Sequence, residues 1–256
     1  MAPGGSHDNP SHRQPANPTG HRALRDAPAA LVTGAAGGIG AATVMRLRAD
    51  GFDVLGVDVD DADLTTREGN ALVVQRALDA FGRLDLVVAN AGFQHVAPVK
   101  DFPEERWDAL LAILLTSPFL LAKYAWEPLT SAPAGRFIAV ASAHALVASP
   151  YKAAYVAAKH GVLGLVKTLA LEGLQATAVC PGYVRTPLVE KQIPDQAQQH
   201  GISEEEALNE VILAPHAIKR LIEPEEVADV IAFLAGPAGA AFSGVPVTMD
   251  LGWSAR

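Results

Sequence analysis

The chain has 256 residues, 50% of them hydrophobic, which is enough to close one buried core and excludes disorder of the whole chain. Lysine and arginine number 20 against 28 aspartates and glutamates, so no global basic field favours nucleic-acid binding. The single cysteine, Cys180, cannot form an internal disulfide, and no Cys/His cluster has zinc spacing, so we expect a reducing compartment and no bound metal.

The N-terminal segment has a composition unlike the rest of the chain. Residues 1–27 are rich in Pro, Gly, Asn, Ser and His, and Leu24 is their only sizeable aliphatic side chain. Because such a segment cannot bury enough apolar surface to offset chain entropy, we predict a disordered leader over 1–27 and a single domain over 28–256. The leader lacks the apolar centre of a signal peptide, and later apolar runs are interrupted before about 20 residues. The sequence therefore predicts a cytoplasmic protein without a membrane partner.

Short β-rich runs alternate with helical stretches from Ala29 onward. This alternation predicts a parallel sheet covered on both faces by helices, which is a doubly wound Rossmann-type α/β domain with three α/β/α layers. The predicted strands lie at 30–33, 52–57, 84–90, 136–142, 177–180 and 245–249, and the predicted helices at 39–49, 66–80, 104–126, 152–171 and 225–235.

Two segments depart from this alternation. Asp58 follows the second strand and is separated by only four residues from Asp63, whereas a parallel crossover needs about a dozen residues. We therefore expect a sheet of about six strands with a shortened edge. Residues 183–215 form a long excursion after a strand, in which Ser203 and Glu206 have the spacing of a capping box that opens a short helix. The position of this excursion predicts a lid over 183–215.

A glycine-rich turn links the first strand to the first helix. Gly34 permits a tight turn, while Gly38 and Gly40 let the backbone approach a pyrophosphate at the helix N-terminus. An ordinary glycine-rich turn would contain the same glycines, but Asp58 after the second strand favours a dinucleotide site. A carboxylate there accepts hydrogen bonds from ribose hydroxyls and repels a 2′-phosphate, so we expect NAD rather than NADP.

Tyr155 and Lys159 lie four residues apart in a helical stretch, so their side chains share a face. A nearby ammonium favours the phenolate and is expected to lower the pKa of Tyr155 from about 10, as a general base near neutral pH requires. Ser142, at the end of its strand, can hold the substrate oxygen while a cofactor accepts the hydride. An isolated pair of this kind is often only a solvated helical pair, but the serine and the glycine turn favour catalysis.

Taken together, these motifs strongly resemble the short-chain dehydrogenase/reductases. The matching residues are TGxxxGxG over 33–40, Asn90-Ala91-Gly92, Ser142, Tyr155-x-x-x-Lys159 and Pro181-Gly182. Within that family, the strings NAGFQHVAP, ASAHALVASPYKAAYVAAKHG, CPGYVRTPLVEKQI and MDLGW resemble the D-3-hydroxybutyrate dehydrogenases. The resemblance covers nearly everything after Ala29. It implies an NAD-dependent oxidoreductase that interconverts D-3-hydroxybutyrate and acetoacetate, with Tyr155 as the general base.

The same resemblance implies which residues bind the cofactor and the substrate. Lys152 lies three residues before Tyr155, so a cation near the reacting carbon is also expected from spacing. For each polar side chain taken singly, a surface residue is the commoner explanation, and the assignment rests on their joint appearance. Tyr183, where the family usually has Trp, and Trp253 would supply apolar walls or serve as core or interface aromatics. The implied cofactor-binding residues are Gly34, Gly38, Ile39, Gly40, Asp58, Asp63, Leu64, Asn90, Ala91, Gly92, Tyr155, Lys159, Pro181, Gly182, Val184 and Thr186. The implied substrate-binding residues are Gln94, Ser142, His144, Lys152, Tyr155 and Gln192.

Leu114 departs from the family pattern, because it stands where the family usually has a catalytic Asn that holds a water beside the active-site lysine. Leu251 replaces a glycine of the terminal string. Two other hypotheses therefore stay open: a short-chain dehydrogenase for another small hydroxy acid, sugar or secondary alcohol, and a catalytically weakened NAD-binding sensor or assembly protein. The resemblance also implies a homo-oligomer, a dimer or a tetramer, that pairs through the helices at 104–126 and 152–171.

Overall fold

The computed structural model of the chain describes Met1 and residues 27–255. The predicted leader over 1–27 lies outside the described residues apart from its two ends. Within the described part, six parallel strands form one sheet in the order β2-β1-β3-β4-β5-β6. The strands are β1 (Ala29–Thr33), β2 (Asp53–Val57), β3 (Leu86–Ala89), β4 (Arg136–Val140), β5 (Ala176–Pro181) and β6 (Pro246–Met249).

The strands at the centre of the sheet are buried on both faces. Every residue of β1, β3, β4 and β5 is buried, as expected for parallel strands that helices cover on both sides. The predicted three-layer Rossmann-type fold is therefore confirmed. The helices are α1 (Gly38–Ala49), α2 (Arg67–Phe81), α3 (Glu104–Leu111), α4 (Ser117–Tyr124), α5 (Trp126–Ser131), α6 (Ala153–Leu171), α7 (Pro187–Glu190), α8 (Gln192–His200), α9 (Glu204–Glu206) and α10 (Pro224–Ala235).

Two hydrophobic cores lie on opposite faces of the sheet. On one face, α1 packs beside α10, and Leu47 and Ile231 from these helices meet the strand residue Val32. On the other face, α2, α4 and α6 contribute to a larger core around Phe137, which is completely buried. Side chains on both sides of the strands thus leave water, which is the main stabilising contribution in such a layered domain.

The shortened edge of the sheet is also confirmed. Strand β2 pairs with β1 alone among the described strands and forms the edge. The chain then passes through the turns at 58–66 directly into α2, where Thr66 accepts a hydrogen bond from the Gly69 N–H and caps the helix. So few residues leave no room for a further strand and its crossover, and β3 returns on the other side of β1.

The single helix predicted over 104–126 is divided. A π-helical segment, Ala112–Thr116, separates α3 from α4, and Ala125 separates α4 from α5. Within the helical segment 104–124, an 18-residue window has a mean hydropathy of 1.3, so by length and composition alone this segment could cross a membrane. Asp108, Pro118 and Lys123 nevertheless interrupt the apolar residues of this segment, as expected from the sequence. Leu110 and Leu121 of this segment belong to the larger core, as in the core helix of a layered domain.

The excursion at 183–215 folds into short helices over its own small core. Val189, Ile212, Leu213 and Leu221 form a separate buried cluster against which Tyr183 packs. The predicted capping box is present: Ser203 Oγ accepts from the Glu206 N–H, and the Glu206 carboxylate accepts from the Ser203 N–H. The short helix it opens continues as a π-helical turn, Ala207–Ile212. Its action as a lid stays a prediction.

Tyr151 adopts a left-handed backbone conformation (φ 65°), and the residue is 51% exposed. This conformation costs a residue with a Cβ about 1 kcal/mol or more, and little packing opposes its removal. We expect Tyr151→Gly to raise the free energy of unfolding by up to about 1 kcal/mol in urea titrations. The matched control is Ala148→Gly, at an exposed neighbour without positive φ, which should lower it by about 0.5–1 kcal/mol. A decrease for both variants would contradict the strain at Tyr151.

Candidate active site

Three glycines of the turn at 34–40, namely Gly34, Gly38 and Gly40, leave no space for a side chain. Gly34 has φ +69°, and a Cβ on it would lie 2.8 Å from Asn90 Nδ2. A Cβ on Gly40 would lie 1.9 Å from the Gly34 carbonyl oxygen. The residue before α1 is Gly37, so no side chain occupies the N–H groups at the start of this helix. The turn therefore fits a pyrophosphate, whose charge the helix dipole and free N–H groups favour.

Thr33 connects this turn to the loop that follows β3, the neighbouring strand in the sheet. Its Oγ1 accepts hydrogen bonds from the backbone N–H groups of Asn90 and Ala91, both at 3.0 Å. The side chain of Asn90 returns the contact by donating to the carbonyl oxygens of Thr33 at 2.9 Å and of Gly34 at 3.2 Å. These hydrogen bonds fix the Asn90-Ala91-Gly92 segment, which forms the floor of the site, relative to the glycine-rich turn.

Two carboxylates lie at the far end of the same cleft. Asp58 Oδ2 accepts from the Ala36 N–H and Oδ1 from the Val59 N–H, both at 2.8 Å. Asp63 Oδ1 accepts from the N–H and the hydroxyl of Thr65, and these hydrogen bonds hold the pKa of the Asp63 carboxyl below its usual range. Both side chains are therefore acceptors beside the turn, as the ribose and adenine end of a dinucleotide requires.

The structure brings nearly all of the predicted cofactor-binding residues to one cleft of about 830 Å³. Gly40 alone among them does not line it, because it lies behind Gly34. Thr186 closes the cleft from the side of α7, and its Cγ2 would be only 2.9 Å from a Cβ on Gly38. The cleft lies at the carboxyl ends of the parallel strands, where open α/β sheets bind ligands.

Ser142, Tyr155 and Lys159 meet at the inner end of this cleft. Lys159 Nζ lies 5.5 Å from the centroid of the Tyr155 ring and donates to the Val140 carbonyl oxygen at 2.7 Å. Ser142 hydrogen-bonds the Tyr155 side chain. One turn of α6 therefore presents a phenol and an ammonium to a hydroxyl held at the end of β4.

The expected lowering of the Tyr155 pKa is wrong for this structure. Burial raises the pKa of Tyr155 to about 12, although the hydrogen bond from Ser142 acts in the opposite direction. Burial also lowers the pKa of Lys159 to about 8. Helical spacing indicates that the two groups are neighbours, but it does not indicate that both leave water, and desolvation disfavours each charged form.

His144 is a neutral hydrogen-bonding group in this site. Its side chain is 3% exposed, and burial, followed by the charge of Lys152, lowers its pKa to about 3. Its Nε2 lies 3.0 Å from Ser149 Oγ and its Nδ1 lies 3.4 Å from Ser142 Oγ. Ser149, which sequence reasoning missed, therefore orients the imidazole; as a serine in a turn, it carried no signal in the sequence.

Lys152 immediately precedes α6 rather than lying within it, as the predicted helix over 152–171 implied. Its side chain is buried, and its Nζ donates to the Tyr183 hydroxyl at 2.9 Å. Burial lowers the pKa of Lys152 to about 8. The interpretation of Tyr183 as only an apolar wall is therefore incomplete, because its hydroxyl is the acceptor for this ammonium.

Aromatic rings join these groups. The Tyr183 ring stacks on Trp253, with centroids 5.4 Å apart and planes 8° apart. His144 meets Trp253 edge to face at 4.9 Å and Tyr155 at 5.8 Å. His216, another residue missed from the sequence, lies 5.9 Å from Tyr183 and 5.7 Å from Trp253. It is far from both in sequence, so no local pattern could have placed it here.

The two predicted glutamines differ. The Nε2 of Gln94 is buried and has no hydrogen-bond partner among the described residues. The loop that carries Gln94 is fixed by a hydrogen bond from the Ala97 N–H to the Tyr151 carbonyl oxygen. The Gln94 side-chain amide can therefore donate a hydrogen bond to a ligand. Gln192 lies on α8, next to the cleft-lining Lys191, and its Nε2 donates to the Leu188 carbonyl oxygen at 2.8 Å, one helical turn back. Of the predicted substrate-binding residues, only Ser142 and Tyr155 line the cleft itself; Gln94, His144, Lys152 and Gln192 do not.

Leu114 contributes an apolar side chain to one wall of the cleft. It lies in the π-helical segment, is buried and faces Gly92, where an added Cβ would be 2.5 Å from its Cδ2. Leu251, the other departure, also has a positive φ, 54°, as a residue in place of glycine must at this position. Cys180 is buried as a small apolar group, and burial raises the pKa of its thiol to about 11.

The cleft lies at the carboxyl ends of the parallel strands, where the strand order reverses between β1 and β3, and it has a Ser, a Tyr and a Lys at its inner end. This arrangement defines an oxidoreductase of the Rossmann class that uses a nicotinamide cofactor. A family model described as Enoyl-(Acyl carrier protein) reductase matches residues 34–254. The chain belongs to the short-chain dehydrogenase/reductase family.

Curated relatives and solved structures agree with this assignment. The D-beta-hydroxybutyrate dehydrogenase of Rhizobium meliloti (strain 1021) is 48% identical over 199 residues, covering 76% of this chain and 77% of the relative. That of Cupriavidus necator is 40% identical over 252 residues, 89% of this chain and 98% of the relative. The ligand-free aldohexose dehydrogenase of Thermoplasma acidophilum has a TM-score of 0.82 at 26% identity over 90% of this chain and 95% of its own.

Removal of the Thr33 hydroxyl should loosen the floor of the site. Thr33→Val leaves the Asn90 and Ala91 N–H groups without their acceptor, so we expect a loss of about 2 kcal/mol in the free energy of unfolding. The control is Thr177→Val, which removes one hydrogen bond, to the Phe242 carbonyl oxygen, and should cost about 1 kcal/mol. Equal losses in chemical denaturation would argue against the double role of Thr33.

Proposed function

We propose that the chain interconverts D-3-hydroxybutyrate and acetoacetate with NAD. The observation that carries the proposal is the buried Lys152 ammonium, which has a hydroxyl but no carboxylate as its partner among the described residues. A buried cation without a counter-ion favours an anionic ligand. The names of the two relatives are the second support.

The proposed roles follow from the positions of the side chains. Lys152 and the unpartnered Gln94 amide would hold the substrate carboxylate, and Ser142 would hold the oxygen that reacts. Tyr155 would take the hydroxyl proton, with the Lys159 ammonium stabilising the phenolate. A nicotinamide cofactor, when bound, would supply the hydride acceptor. Gln192 would exchange the hydrogen bond from its Nε2 to the Leu188 carbonyl oxygen for one to the substrate.

The preference for NAD over NADP is part of the proposal. Asp58 lies where the ribose of a dinucleotide is expected, and its carboxylate would repel a 2′-phosphate. The proposed location is the cytoplasm, where the thiol of Cys180 would stay reduced. We also propose a homo-oligomer, by resemblance to the family.

One observation favours a second candidate, a catalytically weakened NAD-binding protein. Leu114 places hydrocarbon where the family usually has an Asn that holds water near the lysine. Without such a water, the proton that Tyr155 accepts would be released to solvent more slowly. The second candidate predicts NAD binding with negligible turnover.

The first test is NADH formation at 340 nm with D- and L-3-hydroxybutyrate. We expect turnover with the D acid and NAD and at least about a hundredfold loss of kcat in Tyr155→Phe, because the proton acceptor is removed. Leu114→Asn separates the candidates. Turnover in the parent supports the dehydrogenase, whereas NAD binding with activity only in Leu114→Asn supports the weakened protein. Absence of activity with any 3-hydroxy acid contradicts the proposal.

The second test addresses the cofactor. Asp58→Ala should raise the KM for NAD about tenfold and improve the ratio of kcat/KM for NADP to that for NAD, since the repulsion of the 2′-phosphate is lost. Asp60→Ala is the matched control, because Asp60 is exposed in the same corner and does not line the cleft. A parent that uses NADP as well as NAD would refute the assigned preference.

A further inference from the structure

We propose that the Tyr183 hydroxyl is a positioning group for Lys152, and that this contact makes the site selective for a carboxylate over an uncharged alcohol. The inference deepens the proposed function and rests on it. It concerns a tyrosine that replaces the tryptophan usual in the family.

The contact between the two side chains has two parts. Lys152 Nζ donates to the Tyr183 hydroxyl at 2.9 Å and lies 4.9 Å from the centroid of the Tyr183 ring. The hydroxyl oxygen is the acceptor, and the ring face adds a cation–π attraction. A tryptophan at this position would keep a ring face, but its indole N–H is a donor only and cannot accept from an ammonium. The hydrogen bond therefore depends on tyrosine.

Tyr183 is itself held on three sides. Its ring stacks on Trp253, its carbonyl oxygen accepts from the Ile222 N–H at 2.9 Å, and its N–H donates to His216 Nε2 at 3.4 Å. A hydroxyl held by a rigid ring limits the positions of the flexible lysine stem. Tyr183 thus decides where the ammonium lies relative to the reacting groups on α6.

The hydroxyl supports the charge of Lys152 without neutralising it. Burial raises the pKa of Tyr183 to about 12, so Tyr183 is a neutral dipole at physiological pH. The other titratable groups around this contact are His144, Tyr155, Lys159, His160, His216 and Asp250. Burial also lowers the pKa of Lys159 to about 8, but Lys159 lies beside Tyr155 and should affect acid and ester alike. The Asp250 carboxylate accepts from the N–H groups of Gly252 and Ser254 and from the Ser254 hydroxyl. The charge on Lys152 is therefore available to a substrate carboxylate.

The pH dependence has a definite sign. Burial lowers the pKa of Lys152 to about 8. The hydrogen bond to the Tyr183 hydroxyl stabilises the charged form of Lys152. Lys152 is charged below its pKa, so kcat/KM for an acid should fall as the pH rises through about 8. Loss of the Tyr183 hydroxyl should lower the pKa of Lys152 further and move this alkaline fall to lower pH.

The test compares the parent with Tyr183→Phe and Tyr183→Trp, on D-3-hydroxybutyrate and on its uncharged methyl ester. For the acid we expect both variants to lower kcat/KM about tenfold through KM, with kcat within about twofold, since one charge-assisted hydrogen bond is lost. For the ester we expect no change beyond about twofold. The alkaline fall with the acid should move down by about one pH unit. Tyr124→Phe, on α4 and away from the cleft, is the matched control and should match the parent.

Three results would overturn the inference: equal losses on acid and ester, since Tyr183 would then act only as a wall; no loss on the acid; or a further loss when Tyr183→Phe is added to Lys152→Gln, where no ammonium is left to position. A parent without turnover on any 3-hydroxy acid refutes the proposed function instead.

In that case acetate serves as the carboxylate probe, with the NAD-loaded protein. An acetate-dependent rise in Tm that needs about tenfold more acetate in Tyr183→Phe would support the inference. The same rise in parent and variant, or none in the parent, would overturn it.

Discussion

The active site depends on keeping two lysine ammonium groups in the interior with neutral oxygens as their partners. Lys159 donates to the Val140 carbonyl oxygen and Lys152 to the Tyr183 hydroxyl. Desolvation lowers the pKa of each lysine to about 8. A neutral partner satisfies the donor without cancelling its charge. Lys152 can therefore act on an anion that enters the site, and Lys159 on the neighbouring Tyr155 side chain. The price is a site that is stable only while the surrounding domain holds it.

The parallel sheet supplies that support. Its central strands end at one edge, where β1 delivers the glycine turn, β4 delivers Ser142 and β5 delivers Tyr183. Helix α6 crosses the same edge and adds Tyr155 and Lys159. Because every central strand is buried on both faces, these groups have little freedom to move relative to one another. The chemistry of the site is thus a property of the layered fold.

Two departures from the family pattern have different consequences in this frame. The shortened edge removes a strand beside the adenine end, and the six remaining strands close without it because β2 pairs fully with β1. Leu114 instead changes the wall of the reaction site from polar to hydrocarbon. The first concerns the number of strands in the sheet, whereas the second concerns the polarity of the cleft wall.

The sequence by itself determined the fold class, the six strands and the residues of the dinucleotide cleft, because strand periodicity, glycine positions and helical spacing are local properties of the chain. It did not determine the charge states or the pairing of the polar groups. The tertiary structure raised the Tyr155 pKa, buried the Gln94 amide nitrogen without a partner among the described residues and placed the Tyr183 hydroxyl on Lys152. Desolvation and contacts between distant segments exist only once the layers have packed, so no local pattern could show them.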